Sequence, residues 1–311
     1  MELIRSVFPL KGVVDSRIGG RDENQDGYAY SDTPMGPIIV VCDGMGGMQG
    51  GRIASAMAVS SIVNSVKIAF KDDDPQEVLR KAIEKANQDI IQAASGNPEL
   101  YGMGTTVTAM LVTPHCATIA HLGDSRIYQL RGKSKHYRTF DHSLVFEMVK
   151  NGVFTEEQAR QSNQSNIILR ALGVGAEVEP EICQLPYSKG DRFVLCTDGF
   201  WGCMPEKELI KHLTQKHKIG HIIEKTANVV DKIGQAKGGT HDNLTAAMVE
   251  LKCNSIMKEK MSKKVKILLI ALSVALLSSV VLNVVLLCKN TNKAKVEPAT
   301  EVVADTASAV Q

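Results

Sequence analysis

Two apolar runs in this chain each stop at an Asp-Gly pair: Ile38-Ile39-Val40-Val41-Cys42-Asp43-Gly44 and Phe193-Val194-Leu195-Cys196-Thr197-Asp198-Gly199. A short run rich in β-branched and aromatic residues, closed by a turn signal, predicts a buried strand. The carboxylate at its end then lies at a sheet rim, where the following glycine lets backbone come close to an ion. Two further acidic signatures are Asn24-Gln25-Asp26 upstream and Asp242-Asn243 downstream, the latter just before the apolar stretch Leu244 to Val249. The pattern predicts that four carboxylates distant in sequence converge on one edge of a folded sheet.

Any single Asp-Gly pair is more simply a turn. Four acidic sites at strand ends, none with a basic partner close in sequence, point elsewhere, because gathered carboxylates repel and need a compensating cation. An oxygen-only ligand set favours magnesium or manganese over zinc, whose protein sites lean on Cys and His.

The ordered motifs Arg21-x-x-Asn24-Gln25-Asp26, Asp43-Gly44-Met45-Gly46-Gly47, Gly104-Thr105-Thr106, Gly123-Asp124-Ser125-Arg126, Cys196-Thr197-Asp198-Gly199 and Asp242-Asn243-Leu244-Thr245 resemble the metal-dependent serine/threonine protein phosphatases of the PP2C (PPM) type, in their bacterial form. The likeness runs over residues 7 to 251, and six motifs in order are specific where one alone is weak. It implies two Mn2+ or Mg2+ ions bridged by Asp43, with the Gly44 carbonyl on one and Asp198 and Asp242 on the other. It places Asp26 in or beside that ligand set, Arg21 as the clamp on the substrate phosphate, and Asp124 on a third, weaker ion. The chemistry implied is in-line attack on phosphorus by a water whose pKa two ions lower, with no phospho-enzyme. A guanidinium suits the clamp because it offers a planar fork of donors and stays charged. An ion pair between Asp124 and Arg126 is the simpler alternative for Asp124.

Three positions depart from the animal members of that family. Gln25 stands where Glu is common, which removes one negative charge; Met45 stands where a His serves as general acid, and a thioether donates no proton. Gly202 replaces an Asp that helps to hold the third ion. The stretch 141–173 resembles the flap of the bacterial members, with a helix expected over Leu144 to Lys150 and a cap at Thr155-Glu156-Glu157. Arg160 and Arg170 lie in it, and His142 reads as a flap residue rather than a ligand.

The chain has 311 residues, 44% of them hydrophobic, and a net charge of +2. That supports a sizeable core, and neither bulk charge nor a basic stripe suggests nucleic-acid binding. Seven cysteines occur without CxxC spacing; Cys42, Cys116 and Cys196 fall in apolar runs and read as buried thiols of a reducing compartment. Apolar spacing predicts one helix over Ala54 to Phe70 and another from Pro75 to about Ala94, while Lys71-Asp72-Asp73-Asp74 reads as the turn between them. Strands are expected over Thr105 to Val112, Ala117 to Ala120 and Ile127 to Leu130. The fold class is therefore α+β, with two central antiparallel sheets flanked by helix pairs.

Residues 1–251 read as the catalytic domain and 252–266 as a basic linker. The uncharged run 267–288 reads as a transmembrane helix, since about 20 apolar residues cross a bilayer, and 289–311 as a short disordered tail. Flanking lysines orient the catalytic domain to the cytoplasm. The expectation is thus a single-pass membrane protein acting on phosphorylated proteins, with a membrane serine/threonine kinase and its substrates as partners and lipid at the lysine cluster. A non-catalytic phosphoprotein-binding module on the same fold, and a stress-switch phosphatase acting on an anti-sigma antagonist, remain as alternatives.

Overall fold

The computed structural model describes residues 1–46, 50–257 and 278–279. In chain order, four strands come first: β1 (Glu2–Ile4), β2 (Leu10–Arg17), β3 (Asp26–Thr33) and β4 (Gly36–Met45). Helices α1 (Gly50–Lys67) and α2 (Pro75–Ser95) follow, then β5 (Gly104–Thr105), β6 (Val107–Val112), β7 (Ala117–Leu122), β8 (Arg126–Arg131) and β9 (Ser134–Arg138). The remainder comprises α3 (Leu144–Lys150), α4 (Glu156–Arg160), β10 (Glu181–Leu185), β11 (Arg192–Cys196), α5 (Asp198–Trp201), α6 (Glu206–Leu213), α7 (Ile219–Ala236) and β12 (Leu244–Leu251).

One sheet runs β1-β2-β12-β11-β8-β9 and the other β10-β7-β6-β4-β3, with β5 added to β4. Their inner faces close on a core that includes Val14, Ile39, Val41, Met110, Ile127, Phe193, Leu195 and Val249. Each such side chain stabilises the fold by roughly 1.5–3 kcal/mol when taken out of water. The outer face of the second sheet packs on α1 and α2 through Ile62, Val66, Leu79 and Ile83. That of the first packs on α6 and α7 through Leu209, Leu213, Ile223 and Val230. Buried on both faces, β4 and β11 need apolar residues at nearly every position, which explains their continuous rather than alternating pattern.

The two antiparallel sheets flanked by helix pairs match the expected fold class. The first helix starts at Gly50 and stops at Lys67 rather than running to Phe70, and Phe70 is 78% exposed. Asp73 accepts the Phe70 N–H at 2.8 Å, so the acidic turn ends the helix, and Asp74 caps α2 by accepting from Gln76 N. Among the described residues the cysteines are free, and Cys42, Cys116 and Cys196 are buried. Thr155 heads α4 in a capping box with Gln158.

The membrane expectation is corrected. No helix among the described residues is long and apolar enough to cross a membrane. The longest of them, α2, carries Arg80, Lys81, Glu84, Lys85 and Asp89, charges that a bilayer core does not accept without large cost. The run 267–288 lies outside the described residues except for Ser278 and Ser279, as do 258–266 and 289–311. The single-pass location and the lipid partner are withdrawn.

Candidate active site

The antiparallel topology gathers the acids. Asp26 opens β3 and Asp43 lies near the end of β4, directly opposite it in the pairing register. Asp198 follows β11, and Asp242 precedes β12, which pairs antiparallel with β11. Asp124 lies in the turn between β7 and β8. The start of one strand and the end of its antiparallel neighbour share a rim, so stacking two such sheets brings all five carboxylates to one end. The carboxyl groups of Asp43 and Asp198 come within hydrogen-bonding reach of one another.

Both Asp-Gly glycines serve close approach of backbone to backbone. A Cβ on Gly44 would lie 2.0 Å from the Gly51 carbonyl oxygen at the start of α1, and one on Gly199 would lie 2.1 Å from the Asn243 carbonyl. Any side chain there would push β4 off the start of α1, or α5 off the segment leading into β12.

The electrostatics of the cluster are strained. Asp26, Asp124 and Asp198 each bury an Oδ1 atom with no hydrogen-bond partner. Burial, reinforced by the neighbouring Asp198 and Asp242, pushes the Asp26 carboxyl up to about 7, although Thr245 and Thr197 oppose the rise. Burial and Asp242 push Asp198 up to about 6. Asp43 and Asp124 are raised well above the usual carboxylate range, again chiefly by burial and then by neighbouring aspartates. An all-oxygen donor set with unmet lone pairs and mutual repulsion fits hard divalent cations.

Arg21 donates to Asp242 Oδ2 at 2.7 Å, with 54% of its side chain exposed. Arg126 does not pair with Asp124: it forms a two-pronged contact with Asp141, at 2.8 and 2.7 Å, and its guanidinium lies 3.3 Å from the centre of the Trp201 ring. A cleft of about 500 Å3 opens beside the cluster, lined among others by Asp124, Arg160, Asp198, Trp201, Lys237 and Asp242. Gly202 contributes only backbone, donating its N–H to the Asp198 carbonyl at 2.6 Å. His142 does not enter the cluster and instead stacks on His121.

Several positioning groups escape a reading of the carboxylates alone. Thr106 Oγ1 accepts the Asp43 N–H at 2.9 Å, Thr105 Oγ1 donates to the Asp43 carbonyl at 2.8 Å, and Thr197 Oγ1 donates to Asp26 Oδ2 at 3.0 Å. Asn243 fastens three segments: it accepts from Gln25 N at 2.8 Å and donates to the carbonyls of Ile18 and Glu23 at 2.8 and 2.9 Å. For Thr197 and Asn243 the available signal was adjacency to a predicted ligand, and for Thr105 and Thr106 it was the Gly104-Thr105-Thr106 motif. Asn243→Ala leaves those buried groups unmet and is expected to cost about 2–4 kcal/mol, measured by urea unfolding. A loss below about 1 kcal/mol would show that Asn243 fastens nothing.

A protein phosphatase 2C family model matches residues 15–248. This chain belongs to that family. The serine/threonine phosphatase stp of Listeria monocytogenes is 35% identical over 234 residues, covering 74% of this chain and 91% of its own length. Among solved structures, the Mycobacterium tuberculosis serine/threonine phosphatase PstP/Ppp superposes with a TM-score of 0.69 at 28% identity, covering 78% of this chain and 99% of that one. The catalytic domain of PstP in complex with two manganese ions gives a TM-score of 0.68 at 26% identity over 78% of this chain and 98% of its own. The PP2C-family chain described here is accordingly an enzyme, a serine/threonine protein phosphatase.

Proposed function

We propose that this PP2C-family phosphatase hydrolyses phosphoserine and phosphothreonine in proteins with two divalent cations, Mn2+ or Mg2+, held by Asp43, the Gly44 carbonyl, Asp198, Asp242 and Asp26. Asp124 would hold a third, weaker ion. The observation that carries this is the convergence of buried, unpartnered carboxylate oxygens at one sheet rim. When bound, the ions neutralise the cluster and activate a water for direct attack at phosphorus.

The chain's own residues do the rest. Thr105 and Thr106 fix the backbone of Asp43 and Thr197 holds the Asp26 carboxylate, so little reorganisation accompanies the reaction. Arg21, exposed and hinged on Asp242, reaches over the cluster and binds phosphate oxygens. The adjoining cleft takes the peptide, with Arg160 and Lys237 along it to meet acidic flanking residues. Met45, at the end of β4, donates no proton, so it plays no part in protonating the leaving serine or threonine oxygen. The substrates on this reading are targets of a serine/threonine kinase.

The test is turnover of a phosphothreonine peptide by the full chain with Mn2+, with EDTA, and with Mn2+ restored in excess. Turnover that follows the metal supports the reading; none with any divalent ion would leave a phosphoprotein-binding module. Arg21→Ala is expected to lower kcat/KM by about 10- to 100-fold, the loss of charge-assisted hydrogen bonds to phosphate. An unchanged kcat/KM would remove Arg21 from the phosphate site.

A further inference from the structure

We propose that His121, His142 and Glu181 form a second metal site, separate from the aspartate cluster, that takes one imidazole-preferring cation of the zinc type. Glu181 in the edge strand β10 lies directly opposite His121 in β7, so the two side chains share a face of the sheet. The His142 ring stacks on that of His121 with centroids 4.7 Å apart. One potential ligand atom from each of the three residues lies within 4.8 Å of the others. A tetrahedral zinc site spaces its ligand atoms by about 3.4 Å, so shifts of about 1 Å close it. Glu181 has the freedom to supply them, since 55% of its side chain is exposed, and the same exposure gives the ion an entry path and leaves the fourth position to water.

The second observation is His121 itself. It is fully buried, and neither ring nitrogen makes a hydrogen bond of good geometry; the backbone of Ser125 and Gly123 offers it only weak contacts. Leaving a buried polar group unmet is costly, and an ion would remove that cost. Burial, with His142 next to it, holds His121 far below its ordinary range, at about 3. Burial also lowers His142. Both rings therefore keep a lone pair at neutral pH, as ligation requires.

Occupancy has a structural consequence. His142 Nδ1 accepts the Gly123 N–H at 3.2 Å, so the hydrogen of the neutral ring is on Nε2, 3.3 Å from Glu181 Oε1. A cation on Nε2 displaces that proton to solvent. To remain neutral the ring then takes a proton on Nδ1, where it meets the Gly123 N–H donor to donor, and that hydrogen bond is lost. Gly123 precedes Asp124, whose carbonyl accepts from Trp201 Nε1 at 3.0 Å. Trp201 is the single tryptophan of the chain, and its emission therefore reports on this turn.

The experiment uses the full chain carrying Asp43→Asn and Asp198→Asn, which removes the competing oxygen site and makes the result independent of the proposed phosphatase mechanism. Zn2+ is titrated by equilibrium dialysis in excess Mg2+, with Trp201 fluorescence recorded in parallel. The expected result is one high-affinity Zn2+ per chain, accompanied by a shift in emission. Adding His121→Asn or Glu181→Gln should weaken binding at least about 10-fold and abolish the shift. Glu181 is exposed, so its variant tests the site without touching the core. Zinc binding that is absent, or that is unchanged in the Glu181 variant, overturns the site; binding without an emission change overturns its coupling to the Asp124 turn.

Discussion

Asp43→Asn is expected to lower kcat by about 10^3-fold or more while raising the melting temperature of the metal-free protein by about 3–8 °C. The two effects have one cause. Asp43 is enclosed by Asp26, Asp198, Asp124 and Asp242, and burial with that repulsion holds its carboxyl well above the usual range. Removing its charge relieves the metal-free fold, but also takes an anionic ligand from the ions that Asp43 would hold. Steady-state kinetics on a phosphothreonine peptide and calorimetry in EDTA read the two sides. Activity within about 10-fold of the parent would remove Asp43 from the proposed ligand set, and an unchanged melting temperature would show that the cluster carries no charge stress.

The second large effect is on the pH dependence of stability, and its sign follows from raised carboxylate values. Asp26 titrates at 3.8 in an unperturbed chain and is pushed up to about 7 in the fold; Asp198 is pushed up to about 6. Between those limits the folded state binds more protons than the unfolded one. Metal-free stability is therefore fully present below the unfolded value and declines as pH rises through the folded values, by on the order of a few kcal/mol. A divalent ion competes with those protons and reverses the trend. The gap in melting temperature between Mn2+ and EDTA should widen from near zero at about pH 5 to about 5–15 °C at about pH 8. A gap that is constant over that range would mean that these aspartates are not what the ion binds.

The carboxylates were legible because each carries a local signature: Asp43 and Asp198 close an apolar run with Asp-Gly, Asp26 ends Asn24-Gln25-Asp26, and Asp242-Asn243 leads into an apolar run. The helix start at Pro75 and the cap at Thr155 were legible for the same reason, as both depend on residues within one turn of each other. Where local signals conflicted, the reading failed. Phe70 continues the apolar spacing of α1, yet the Asp73 side chain stops the helix three residues earlier. The uncharged run 267–288 suggested a membrane span because composition speaks only to what a segment tolerates, and no described helix supports that location. The Asp124–Arg126 ion pair, the simpler alternative for Asp124, does not form; the fold gives Arg126 to Asp141 instead.

The linear order of residues determined the strands, most helices and which acids lie at strand ends, because hydrophobic period and turn chemistry act over a few neighbours. It also determined the family, since six spaced motifs are a property of the string. Tertiary structure alone decided which strand ends share a rim, that Asn243 ties Gln25 to Ile18 and Glu23, and that His121 and Glu181 face each other across two strands with His142 stacked above. Those contacts join residues tens to hundreds of positions apart. They follow from sheet register and stacking, which close only when the whole core packs.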